Sequence, residues 1–104
     1  MIRHIVLFKI KDFSSESERN EARQNILVTF RSLIGQIPQI RHYRVELDCV
    51  NGPCSLDVII DSVFDNLEDL RAYQSHPAHL DAVELNKQWS ASKVIGDFFF
   101  ENLT

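Results

Sequence analysis

The chain has 104 residues, the size of one small domain, and its composition of 44% hydrophobic and 25% charged residues is typical of a soluble globular protein. Its formal net charge is -4 and its 11 basic residues form no cluster, which argues against nucleic acid or a membrane surface as a partner. No apolar run approaches the roughly 20 residues of a membrane helix. We therefore expect one soluble domain over residues 1–104.

The chain contains only two cysteines, Cys49 and Cys54, which flank a short VNGP segment. Two cysteines are too few for the disulfide framework of a small secreted protein, so a reducing, cytoplasmic location is expected. A hairpin disulfide or a redox role is the alternative to plain structural thiols. The start of the chain is apolar only from Ile5 to Phe8, which fits a strand better than an export signal.

The first half of the chain reads as a strand, a helix and a second strand. Residues 2–10 are rich in β-branched and aromatic side chains and predict a strand. Ser15 and Glu18 have capping-box spacing and open a helix predicted over 16–34, which ends at Gly35 with Pro38 beyond it. Its apolar positions recur every three or four residues: Ala22, Ile26, Phe30, Leu33 and Ile37.

The second half begins with a hairpin. Residues 40–49 alternate between apolar and polar side chains and predict a strand, joined to residues 55–64 by a turn of four or five residues. Asp65 and Glu68 repeat the capping-box spacing and predict a second helix, which should break near His76 because Pro77 follows.

A new helix should start at Pro77, and residues 93–103 predict a last strand. Gly96 within that strand suggests a bulge or a close backbone approach.

The resulting order, β-α-β-β-α-β, predicts a ferredoxin-like α+β fold, with a four-stranded antiparallel sheet covered by helices on one face. Apolar residues point to both sides of the first strand, and phenylalanines occupy positions 98–100 in succession. Both faces of these strands are therefore expected to be buried. Because the helices can cover only one face, we predict a homodimer in which two such sheets pack together as an α/β barrel.

Four segments resemble the stress-responsive A/B barrel domain family, a branch of the dimeric α/β barrel proteins. They are RHIVLFKIKD, IPQIRHY, DVIIDSVFDNLEDLRAYQSHPAHL and VIGDFF, and together they span nearly the whole chain. The most specific piece is F-x(8)-Y-x-x-H-P-x-H, from Phe64 to His79. The resemblance implies a ferredoxin-like protomer and a dimeric barrel. Most members have no established activity and some are stress-induced stable proteins, so a non-catalytic stress-associated scaffold is one expectation.

A plant branch of this family is a polyketide cyclase, in which the tyrosine and the last histidine of the motif form an acid/base pair. The resemblance implies these roles for Tyr73 and His79, with His4 lining the pocket. The cyclase has a further histidine in its third strand, where this chain has Val58. More distant dimeric α/β barrels perform haem-dependent or flavin-independent oxygen chemistry, but this chain has no recognisable haem-ligand pattern.

The residue chemistry supports the same three positions. A histidine titrates near neutral pH, and a phenol beside it can donate a hydrogen bond to an enolate, so His4, Tyr73 and His79 could enolise a small carbonyl or aromatic compound without metal or cofactor. This predicts an isomerase, cyclase or lyase. The alternative is structural: a packed Tyr73, a capping His79 and a core His4.

The remaining polar residues have mostly structural interpretations. His76 precedes the proline and is assigned to the helix break. A metal site is a further hypothesis, and it would use His76, His79, Asp81 and Glu84. Asp57 and Asp61 could be paired carboxylates or partners of Arg44 or Lys9. Trp89 and residues 98–100 are expected in the core, or in the wall of a small pocket.

Overall fold

A computed structural model describes residues 1–101 of the chain. In chain order the elements are β1 (Ile2–Ile10), α1 (Glu16–Arg31), β2 (His42–Leu47), β3 (Val58–Phe64), α2 (Leu67–Ser75), α3 (Pro77–Asn86) and β4 (Ser90–Phe99). The strands form one antiparallel sheet in the order β2-β3-β1-β4. The predicted ferredoxin-like fold is confirmed. Within residues 1–101, no helix is long and apolar enough to cross a membrane.

Strand β1 lies in the middle of the sheet and directs alternate side chains into the core between sheet and helices. The buried set is Ile2, His4, Val6, Phe8 and Ile10. Phe8 stacks on Phe30 of α1, with ring centroids 5.1 Å apart. This packing holds α1 against β1. Because His4 belongs to the same alternate set as Phe8, it lies on the same buried face.

Helix α1 begins as predicted and ends early. The Ser15 hydroxyl accepts a hydrogen bond from the Glu18 amide at 3.1 Å, which is the expected N-cap. The helix stops at Arg31 rather than at residue 34. Beyond it the amides bond to carbonyls three residues back, as Leu33 does to Phe30, and Gly35 adopts a φ of 85°. The last predicted turn is therefore tightened instead of α-helical.

The connection between β2 and β3 is longer than predicted, because it spans residues 48–57. Cys49 and Cys54 lie in it as exposed free thiols. At its end the buried Asp57 carboxylate accepts from the Ile10 amide at 2.9 Å and from Arg23 Nε at 3.0 Å. These bonds tie the connection to the core.

The two aspartates proposed as paired carboxylates have separate cationic partners. Lys9 Nζ lies 3.9 Å from Asp57, as one alternative expected, while Asp61 pairs with Arg3 at 2.8 Å and not with Arg44. Each carboxylate therefore forms ion pairs with basic side chains rather than pairing with the other carboxylate.

Helix α2 is capped one residue later than predicted. Asn66 Oδ1 accepts from the Asp69 amide at 2.8 Å, while Asp65 instead pairs with Arg41 Nε at 2.8 Å. Two overlapping pairs had suitable spacing, Asp65 with Glu68 and Asn66 with Asp69, and only the path of the chain leaving β3 decides between them.

Asn66→Ala should therefore lower the free energy of unfolding by about 1 kcal/mol, because it removes the N-cap. Asp65→Ala removes only an exposed ion pair and should cost less. Urea denaturation of both variants measures the difference. A larger loss for Asp65→Ala would contradict the assignment of the cap.

Strand β4 is an edge strand and is not buried on both faces within one chain. Phe98 and Phe99 are 49% and 74% exposed, so the prediction that they belong to the core is wrong for the single chain. Trp89 is partly buried against the core. Gly96 pairs in register with Ile5, and the irregularity lies at Lys9 and Ile10 instead. Of the predicted strand, residues 102–103 lie outside the described residues.

The sheet has an open face, defined here by the apolar side chains that point away from the helices. It consists of Ile5, Leu7, Ile59, Val94 and Phe98. Leu7 lies directly between Ile59 and Val94 on the neighbouring strands. Val94 is 55% exposed, so apolar surface extends to the sheet edge without a cover from its own chain.

Candidate functional site

A cavity of about 70 Å³ lies between the sheet and helices α2 and α3. Its apolar wall is formed by Val6, Phe8, Phe30, Ile60, Val83 and Ile95. Its polar groups are His4, Tyr73, Gln74, His79, Asn86 and Lys93. The three predicted site residues, which come from a strand and two helices, therefore line one cavity.

The break at Pro77 produces this convergence. His76 has extended backbone angles, and its Nδ1 accepts from the Ala78 amide at 3.0 Å, which makes it the N-cap of α3. Pro77 occupies the first helical position, where its missing N–H leaves no bond unmade. The turn brings the rings of Tyr73 and His79 to a centroid distance of 4.5 Å. His76 thus has the structural role predicted for it.

His79 is set up as a neutral base. Its Nδ1 lies 2.9 Å from the Gln74 carbonyl oxygen, which can only accept, so Nδ1 carries the proton and Nε2 keeps a free lone pair. Burial lowers the pKa of His79 below its ordinary 6.5, and the charges of Lys93 and His4 lower it too. The hydrogen bond to the Gln74 carbonyl raises it, but by less than burial lowers it. At pH 7 the imidazole can therefore accept a proton.

Tyr73 is a neutral phenol in the buried wall. Burial raises its pKa to about 12, and the hydrogen bond with Tyr43 acts in the opposite direction. The two hydroxyl oxygens are 3.0 Å apart, and burial raises the pKa of Tyr43 further still. When Tyr43 donates this bond, the Tyr73 proton is free for a ligand. Sequence reasoning missed Tyr43, because its alternating strand pattern indicated only a core residue.

His4 is held by an acidic partner that the sequence reasoning also missed. Asp97 faces His4 directly across β1 and β4, and its Oδ1 lies 2.5 Å from His4 Nδ1. The carboxylate accepts the Nδ1 proton, which orients the imidazole. The His4 ring meets Tyr73 edge-on at a centroid distance of 6.4 Å. A single aspartate beside three phenylalanines was the available sequence signal.

Asn86 and Lys93 complete the polar lining and were not singled out from the sequence. Asn86 is only 7% exposed, and its Oδ1 has no hydrogen-bond donor among residues 1–101. An unpaired buried acceptor costs about 1–3 kcal/mol of stability. Lys93 brings a positive charge to the cavity from β4. The cavity thus contains an unused acceptor and a cation beside the predicted residues.

The hypothesis of a metal site finds no support in the described part of the chain. There, no group of three or more His, Cys, Asp or Glu side chains is arranged to hold a metal ion. His76 and His79 are instead each engaged with backbone groups.

The lowered pKa of His79 predicts a pH-dependent stability. Between its folded-state pKa and 6.5 the unfolded chain binds more protons, so this contribution is complete above about pH 6.5 and is lost as the pH falls towards the folded-state pKa. The unfolding free energy from urea titrations at several pH values should therefore fall more steeply below about pH 6.5 in the wild type than in His79→Asn. An equal fall of the unfolding free energy with pH in both proteins would contradict this prediction.

Three comparisons place the chain among known proteins. The family model described as the Stress responsive A/B Barrel Domain matches residues 2–100. An uncharacterised protein of Streptomyces coelicolor is 38% identical over 101 residues, which cover 96% of this chain and 100% of the relative. The chain belongs to the stress-responsive A/B barrel domain family, as the sequence motifs indicated.

Solved structures agree on the fold. A dimeric protein of unknown function with a ferredoxin-like fold, from Bacteroides fragilis, has a TM-score of 0.84 at 29% identity and covers 95% of each chain. A hydroxynitrile lyase from Passiflora edulis has a TM-score of 0.73 at 16% identity, over 99% of this chain and 95% of its own. The second similarity extends only to the fold.

Proposed function

We propose that the protein is a cytoplasmic homodimer that binds a small carbonyl or aromatic compound in the cavity of each protomer and performs acid/base chemistry on it without a cofactor. The observation that carries the proposal is the convergence of a neutral histidine base and a buried phenol on one cavity, with ring centroids 4.5 Å apart. The reaction class is that of an isomerase, a cyclase or a lyase.

The proposed step is the enolisation of a carbonyl compound. His79 Nε2 takes a proton from the carbon next to the carbonyl; the C–H electron pair forms the C=C bond, and the carbonyl π electrons move to oxygen. The Tyr73 hydroxyl donates to that oxygen, and the Lys93 charge stabilises it.

The enolate can then follow one of several routes. Reprotonation at a different atom gives an isomerase, and attack on a second carbonyl gives a cyclase. The imidazole of His4, oriented by Asp97, supplies a second proton site on the opposite wall. His4, Tyr73 and His79 are thus the proposed catalytic residues.

The proposed dimer would cover the open face of the sheet with a second copy. The apolar side chains of that face extend to the exposed edge strand, and the Bacteroides fragilis structure of the same fold is described as dimeric. The cavity lies on the helix side of the sheet, so each protomer would keep its own site.

A second candidate function is a non-catalytic stress-associated scaffold. The size of the cavity favours it, because about 70 Å³ is well below the roughly 300–1,000 Å³ of ordinary ligand pockets. Val58, fully buried in β3, also replaces the third histidine of the cyclase with an aliphatic side chain. This departure counts against the cyclase reaction specifically and leaves the other three residues in place.

A ligand screen followed by proton exchange separates the two functions. Small phenolic, β-keto and simple ketone compounds are tested for an increase in melting temperature, and the ketones are then incubated with the protein in D₂O. Proton NMR measures the replacement of hydrogen by deuterium next to the carbonyl, which enolisation requires. We expect catalysed exchange. A protein that binds none of these compounds and catalyses no exchange would be the scaffold.

A further inference from the structure

Asn86 is a buried polar residue without a role in the proposed proton transfer. It is the last residue of α3. It lines the cavity from the same helical face as His79 and Val83, which precede it by seven and three residues. Its side-chain carbonyl oxygen is buried and receives no hydrogen bond within the described part of the chain. The large majority of buried side-chain polar atoms in proteins are paired, so this oxygen requires an explanation.

Packing alone does not account for an asparagine at this position. Leucine has a similar size and would pack against the same apolar wall without leaving a buried acceptor unpaired. The cavity also contains the possible donors His79 and Lys93, but neither hydrogen-bonds to this oxygen, and Val83 and Ile95 are apolar. A ligand in the cavity can supply the donor that the described residues do not.

We propose that Asn86 is the specificity-determining residue of this cavity and that its Oδ1 accepts a hydrogen bond from a ligand hydroxyl. This deepens the proposed function and rests on it for the location of the carbonyl. The ligand class is a small hydroxy-carbonyl compound, with its carbonyl oxygen at Tyr73 and its hydroxyl at Asn86.

The size of the cavity limits the distance between these two groups. A cavity of about 150 Å³ holds benzene, so about 70 Å³ holds a molecule, or the end of one, with only a few non-hydrogen atoms. A hydroxyl close to the carbonyl meets this limit. A site that pairs with a hydroxyl discriminates strongly against an analogue without it, because its own buried group is then left unpaired.

Hydroxyacetone and 2-butanone test the proposal, since they differ only by a hydroxyl in place of a methyl group. Their dissociation constants are measured by NMR titration of the wild type, Asn86→Leu and Asn86→Ala, with Asn25→Leu on α1 as a control outside the cavity. We expect the wild type and the control to bind hydroxyacetone at least about tenfold more tightly, and both Asn86 variants to lose this preference.

The outcomes separate this proposal from the proposed function. Equal affinities in the wild type, a preference that survives in both Asn86 variants, or binding of neither compound would overturn the role of Asn86, while the wider ligand screen decides the acid/base function. A preference that depends on Asn86, without catalysed deuterium exchange, would overturn the acid/base function alone. Asn86→Leu should melt no lower than the wild type, because an apolar side chain removes the unpaired acceptor.

Discussion

Replacing His79 by asparagine is expected to slow the deuterium exchange of a bound ketone by about 10²- to 10⁴-fold. The asparagine Nδ2 can keep the hydrogen bond that His79 Nδ1 makes to the Gln74 carbonyl, so the local backbone is preserved. What is lost is the basic Nε2. Tyr73→Phe should slow exchange by about 10²-fold, because it removes the donor to the enolate oxygen.

His76→Asn is the matched control for this experiment. It removes an imidazole from the same motif, and asparagine is a good N-cap that can replace the bond from the Ala78 amide. The control should exchange as fast as the wild type. The acid/base assignment fails if His79→Asn and Tyr73→Phe both fold normally and both keep the wild-type exchange rate.

Replacing Val94 by lysine is expected to convert the proposed dimer into monomers. Val94 lies on the open face, directly opposite Leu7, and in the proposed dimer its side chain would be buried against the partner sheet. An unpaired ammonium group in an apolar interface carries a large desolvation cost. Size-exclusion chromatography with light scattering at micromolar concentration measures the change.

Val28→Lys provides the control for charge and exposure. Val28 lies on α1, and it is 65% exposed against 55% for Val94, so a lysine at either position can reach solvent in the single chain. Val28→Lys should remain dimeric. A wild type that is monomeric at this concentration, or a Val94→Lys variant that stays dimeric, would refute the arrangement.

Local signals in the sequence were sufficient for the fold. The three- and four-residue spacing of apolar positions predicted α1, and the capping bond of Ser15 is present in the structure. Pro77 and the residue before it predicted the division between α2 and α3. These predictions succeeded because helix periodicity, capping and proline stereochemistry depend on residues a few positions apart.

Boundaries were less accurate where neighbouring residues offered equivalent choices. Asp65 and Asn66 both had a suitable acid three residues later, and the ion pair of Asp65 with Arg41 is invisible to local pattern. The hairpin connection was predicted from its NGP turn alone. It spans residues 48–57, and the side chain of Asp57 fixes its end through bonds to Ile10 and Arg23, residues far away in the sequence.

The sequence by itself determined the ferredoxin-like order of elements and the placement of Tyr73 and His79 on either side of a helix break. The tertiary structure alone decided their polar surroundings. Asp97 faces His4 only through the register of β4 on β1, and Tyr43 reaches Tyr73 from the edge strand β2. Asn86 is recognisable as an unpaired acceptor only when its buried environment is known. Such contacts depend on chain packing across long sequence separations, which no local pattern encodes.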